Sequence, residues 1–352
     1  MNVRIVLLLA LGAGIGAGVW WLSQAPDRPQ APGSPGSRPV DPVVTNGGTE
    51  LPEREPFFAA AECRACHEAV YAEWERSYHG MAWTDPMVQA LSEGFRKPEC
   101  IDCHAPQPIH ITGVDQRVAP RQHGRSDGVD CLSCHLLEDG VSVAATRTLD
   151  TSATPGACRP VEVGTMAVST VCAGCHNQHE TVDELLASGL EAECQTCHMP
   201  EVERTVGEGS RTGRSHVFPG AHDEEMHRRA VTLAVRVEGR RVLADVTNVG
   251  AGHKVPTDAR HRSYNLWVDA WDARGNPWVT DAAMTDGEFR LYYRDDFRPS
   301  TQIAHQQTRT GTWEVPDGFA GRVRVRLTYA LNPEELRLRR VYSVHESEVT
   351  IP

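Results

Sequence analysis

Two observations predict a two-part chain: a mostly α-helical and irregular domain, followed by an all-β domain of immunoglobulin-like sandwich type. All eleven cysteines lie between residues 63 and 197, ten of them in one repeated pattern. After about residue 228 the apolar residues change to alternation with period two. The 352 residues suffice for two ordinary domains, and 40% hydrophobic content supports a core. Only 6% of residues are aromatic, which leaves room for something other than side chains in the interior. A net charge of −12 argues against a nucleic-acid binder, which needs a basic footprint. A mean hydropathy of −0.40 argues against a polytopic membrane protein.

Residues 1–25 read as an export segment, either a signal peptide or an N-terminal membrane anchor. Arg4 precedes an uncharged run from Ile5 to Leu22, and Ser23-Gln24-Ala25 is an acceptable cleavage site. Pro26 after that site, the length of the run and the pair Trp20-Trp21 speak for a retained anchor. The glycine-rich stretch Gly12 to Gly18 lacks the strand–helix context of a dinucleotide loop. Residues 26–56, rich in Pro, Gly and Ser, read as a disordered tether reaching about 30 Å if coil-like.

The repeated pattern is Cys-x-x-Cys-His. It occurs as Cys63-Arg-Ala-Cys66-His67, Cys100-Ile-Asp-Cys103-His104, Cys131-Leu-Ser-Cys134-His135, Cys172-Ala-Gly-Cys175-His176 and Cys194-Gln-Thr-Cys197-His198. This is the attachment signature of c-type haem. Each thiol adds to one vinyl group of the porphyrin, and the adjacent His presents a ring nitrogen to the iron as proximal ligand. A zinc ribbon does not require a His after every second Cys, and five sets do not pair into tetrahedral sites. A disulfide framework has the same weakness. The cofactor expected is therefore five covalently attached haem c groups, within a domain spanning residues 57–228. So little polypeptide per cofactor makes the porphyrins much of the core and brings them close together. Haem c is attached outside the cytoplasm, which places the chain in the periplasm, on the outer face of the cytoplasmic membrane, or in the medium if secreted.

Eleven of the sixteen His remain for second axial positions. His79 ends an apolar, aromatic helical face made by Val70, Tyr71, Trp74 and Tyr78. His216 and His253 sit in Gly/Pro loops, where each is either a distal ligand or an ordinary loop residue. His179 shares a helix face with His176 and is placed to serve a neighbouring haem. His123 and His110 compete for the remaining place, and the expected set takes His123. Cys158, outside every motif, reads as a buried or unreactive thiol rather than a nucleophile. The segment from His222 to His227 lacks the spacing of a zincin helix.

In residues 229–352, Val231, Leu233, Val235 and Val237 alternate with other residues, as do Val242, Ala244 and Val246 across a Glu238-Gly239-Arg240 turn. Leu266-Trp267-Val268 and Val323, Val325 and Leu327 read as further strands of the sandwich.

The chain resembles the multihaem c-type cytochromes grouped with cytochrome c-554. The resemblance rests on the first haem motif with Tyr71, Trp74, Ser77, His79 and Ala82, on Asp102-Cys103-His104-Ala105-Pro106, and on Gly128-Val129-Asp130-Cys131. Further matches are Cys197-His198-Met199-Pro200, then Arg214, His216, Phe218 and Gly220, and the loop from Asn248 to His253. The best-known members carry four haems, so the fifth departs from the pattern. The resemblance implies that His79, His216 and His253 are distal ligands. It implies electron transfer between redox partners such as other cytochromes or quinol-linked complexes. It also leaves two alternatives: an oxidoreductase with one open haem acting on a small nitrogen compound, and a subunit of an extracellular electron conduit. No Cys-x-x-Cys-Lys variant occurs, which counts against a nitrite-reductase-type site.

Overall fold

The computed structural model describes residues 57–150, 158–206, 209–257, 261–292, 299–331 and 340–352. They belong to one compact unit. The export segment and the tether expected over 1–56 lie outside the described residues. Among the described residues no helix is long and apolar enough to cross a membrane.

The first part is built from short helices: α1 (Ala61–Arg64), α2 (Glu68–Glu75), α3 (Pro86–Leu91), α4 (Ile101–His104), α5 (Ile109–Thr112), α6 (Cys131–His135), α7 (Ala173–His176), α8 (Thr181–Ala187) and α9 (Cys194–His198). None exceeds the eight residues of α2, and helices below about 12 residues are marginal in water without tertiary support. Support comes from caps and polar ties. Asp130 opens α6 with a reciprocal capping box to Ser133. It is also buried against Arg121 at 2.6 Å. Glu193 caps α9 in the same way with Thr196 and accepts from both the amide and hydroxyl of Ser169. A parallel pair, β1 (Ser142–Ala145) with β2 (Arg159–Glu162), and a hairpin, β3 (Glu201–Val206) with β4 (Gly209–Arg214), complete this part. Cys158 packs beside Phe57, Leu132 and Leu136 in a small apolar cluster.

Helix α10 (Glu224–Ala230) leads into the second part. Its strands are β5 (Val231–Glu238), β6 (Arg241–Asn248), β7 (Ser263–Asp272), β8 (Pro277–Arg290), β9 (Thr308–Glu314), β10 (Gly321–Ala330) and β11 (Val341–Ile351). The expected strands and the Glu238-Gly239-Arg240 turn are all present. The all-β prediction holds, but the ladder order is one continuous run, β11-β10-β7-β8-β9-β6-β5. Strand β8 passes from one half to the other, joining β9 through the single pair Thr285 and Thr312. The two ends approach where His345 Nε2 donates to the Val231 carbonyl at 2.7 Å. The result is a nearly closed sandwich or barrel, with Tyr264, Leu266, Phe289, Val325, Leu327 and Tyr329 filling its interior.

Candidate haem sites

The cysteine motifs all form a helical turn that ends on the histidine, with α4, α6, α7 and α9 each closing on it. Three motif histidines have their Nδ1 committed to a backbone carbonyl. His104 donates to Ala82 at 2.8 Å, His135 to Ala144 at 2.7 Å and His198 to Pro219 at 2.7 Å. A carbonyl can only accept, so each Nδ1 carries the proton and each Nε2 keeps a lone pair for a metal. Behind His104, Trp83 and Phe95 stack at 3.8 Å and back its ring. Burial pushes the Cys134 thiol up to about 11, with Asp130 adding to it.

Sulfurs of different motifs approach one another: Cys63 with Cys131, Cys103 with Cys175 and Cys172 with Cys194 are hydrogen-bonded thiol to thiol. These contacts put the first motif beside the third, the second beside the fourth and the fourth beside the fifth.

Three histidines from outside the motifs face motif rings. His79 lies 6.0 Å from His176, His216 lies 6.3 Å from His135, and His253 lies 6.4 Å from His198, between ring centres. Two imidazoles sharing one metal ion through Nε2, at about 2 Å per bond, hold their centres roughly 6 Å apart. The outer rings are also set to offer Nε2: His216 Nδ1 donates to the Arg214 carbonyl at 2.9 Å and His253 Nδ1 to the Lys254 carbonyl at 3.1 Å. Burial, reinforced by His176 and further imidazoles, pushes His79 down to about 3. Burial with His135 pushes His216 down to about 4. Both rings are therefore neutral at physiological pH, the form that binds iron.

Each outer histidine is held by a different device. His79 sits in a turn tied by Ser77, whose hydroxyl donates to the Trp74 carbonyl and accepts from Gly80 N–H. Its own carbonyl accepts from Val129, and Trp74 Nε1 donates to the Val129 carbonyl at 2.7 Å. Gly128 is required there, since a Cβ would lie 2.5 Å from the His79 carbonyl oxygen. Phe218 wedges between His79 and His216, at 4.3 and 5.7 Å. The loop bearing His253 is organised by buried Asn248, which donates to the carbonyls of His253 and Ile303 and accepts from Ala251. Glu184 of α8 then accepts the Lys254 amide and pairs with its ammonium, both at 2.8 Å.

The remaining histidines divide by their surroundings. His123 and His179, both in the expected ligand set, are exposed. His110, its rival, has a buried Nε2 with no hydrogen-bond partner, with the Cys134 carbonyl beside its ring. An orphaned buried imidazole nitrogen fits an iron position. Exposure does not decide between His110 and His123, since the motif histidines His67 and His176 are exposed as well. His227 is occupied on both nitrogens, accepting from Tyr264 and donating to Ala221. The donor set of this region thus fits covalently held haem.

Comparison with known proteins agrees. Residues 62–136 match the family model "Cytochrome c554 and c-prime", and residues 160–203 match the doubled Cys-x-x-Cys-His motif. No curated protein sequence matches the chain. The penta-heme cytochrome c552 from Thermochromatium tepidum shares the fold, with a TM-score of 0.64, 22% identity, and coverage of 84% of this chain and 100% of its own. A superoxide reductase from Nanoarchaeum equitans matches over 35% of this chain and 94% of its own, at 10% identity and a TM-score of 0.21. With both family models falling on the cysteine repeats, the chain is a multihaem c-type cytochrome.

Proposed function

We propose that this chain binds five haem c groups and passes electrons between redox partners in the cell envelope. The observation that carries this reading is the three facing histidine pairs, His79 with His176, His135 with His216 and His198 with His253, at 6.0 to 6.4 Å. Six-coordinate irons suit electron transfer, because no open position invites substrate. Bound haem supplies the one-electron chemistry, each iron cycling between ferric and ferrous.

The chain's own residues do the rest. Cys63, Cys66, Cys100, Cys103, Cys131, Cys134, Cys172, Cys175, Cys194 and Cys197 would hold the porphyrins, and the five motif histidines would provide the proximal nitrogens. The thiol contacts from the first motif to the third, the second to the fourth and the fourth to the fifth favour short steps between haems. Phe218, lying between His79 and His216, bridges the third and fourth. His110 and His123 are the candidates for a fourth outer ligand, and the Cys134 carbonyl beside the His110 ring puts that residue near the third motif. With a net charge of −12, to which about ten haem propionates add, docking is expected on basic patches of the donor and acceptor.

Mass spectrometry of the exported protein tests the haem number, and low-temperature EPR with carbon monoxide added to the reduced protein tests the ligation. Five covalent haems are expected, with low-spin signals from the irons facing His79, His216 and His253. A high-spin haem that binds carbon monoxide would replace this reading with that of an oxidoreductase.

A further inference from the structure

Glu73 and Arg204 lie 131 residues apart in sequence yet form a half-buried fork-to-fork pair, Nε to Oε1 at 3.0 Å and Nη2 to Oε2 at 2.6 Å. The pair does more than join α2 to β3. Glu73 Oε2 also accepts the backbone N–H of His216 at 2.8 Å. Arg204 Nη2 also donates to the Arg214 carbonyl at 2.7 Å. That same carbonyl accepts His216 Nδ1–H. By contrast, the carbonyls under His104, His135 and His198 belong to Ala82, Ala144 and Pro219, and among the described residues no guanidinium donates to them.

We propose that Glu73 and Arg204 are positioning residues that set the reduction potential of the iron facing His216. The proposal rests on His216 being a ligand. An imidazole whose Nδ1–H is held by a strong acceptor becomes a richer electron donor at Nε2 and stabilises the ferric state. By occupying the Arg214 carbonyl, Arg204 weakens that acceptor and raises the potential. Glu73 draws Arg204 back, and so moderates the effect while fixing the His216 backbone.

Two conservative variants read this out with opposite signs. R204K keeps the charge but cannot make both the fork to Glu73 and the bond to the Arg214 carbonyl. One haem should titrate at lower potential in spectroelectrochemistry, with a shift in one low-spin EPR signal and the others unmoved. E73Q releases Arg204 toward the carbonyl, and the same haem should move to higher potential. If both variants leave every potential and EPR signal unchanged, or move them in the same direction, the pair is structural and the proposal fails. H216A separates this from the ligand reading. Loss of one low-spin signal keeps His216 as a ligand whatever the two variants do, and an unchanged spectrum removes the ligand and the proposal together.

Discussion

The two parts of the molecule are stabilised by different physics. Every one of the largest fully buried side chains, from Val231 through Tyr264, Leu266, Phe289 and Ile303 to Tyr329, lies in the β domain. Before Val231 the buried apolar residues are scattered, many of them alanines, and the largest grouping is Phe57 with Leu132 and Leu136. The β domain has a continuous apolar interior of its own. The cysteine-rich part has helices of eight residues or fewer, a length that is marginal in water without tertiary support. Porphyrins held by the cysteine motifs would add apolar surface to that part.

Withholding haem gives the largest expected effect. Protein produced without haem attachment should show rapid hydrogen exchange and ready proteolysis over residues 57–220, while β5, β6, β7 and β10 stay protected. Equal protection of both parts would show that the helical region has a core of its own. The converse experiment perturbs the other side. Phe289→Ala empties a fully buried site and should cost the β domain about 3–5 kcal/mol in denaturant unfolding, with the haem spectrum unchanged below the transition.

The clamp between the parts is weaker. Glu184→Ala leaves the Lys254 amide without its acceptor, at a cost of about 1–3 kcal/mol. Loss of one low-spin haem signal is expected if the clamp keeps His253 facing His198. Gly252→Ala should act in the same direction, because its Cβ would lie 2.3 Å from Leu185 Cδ1. A spectrum unaffected by both would show that Asn248 alone holds the loop.

The sequence carried the haem motifs in full, because Cys-x-x-Cys-His is a local pattern whose chemistry needs no tertiary partner. Period two likewise revealed β5, β6 and β10, each with one face inward. The outer histidines were only partly legible. His79, His216 and His253 carried a family resemblance, whereas no local pattern separates His110 from His123. Burial of a four-residue helix such as α5 is decided by what packs on it. The Glu73–Arg204 pair was invisible for the same reason, since neither residue belongs to a motif and only the fold joins them. The continuous strand order was hidden as well. Alternation reports which face of a strand is buried and says nothing about its neighbours.

The smallest effect belongs to acid. Asp269, buried on β7, accepts from Arg324 at 3.0 Å, from Arg326 at 2.8 Å and from the Asp281 amide at 2.9 Å. Burial pushes its carboxyl up, but the Asp281 amide and the two guanidiniums outweigh this and leave it below its ordinary value of 3.8. A depressed carboxyl contributes stability that is present in full above pH 3.8 and is lost as pH falls through the folded-state value. Asp269→Asn should therefore be less stable than the parent near neutrality, and the gap in β-domain unfolding should close only at pH values below 3.8. A gap already closed at pH 5 would show that the Asp269 bonds contribute nothing to folding, leaving the apolar interior as the sole source of the difference between the two parts.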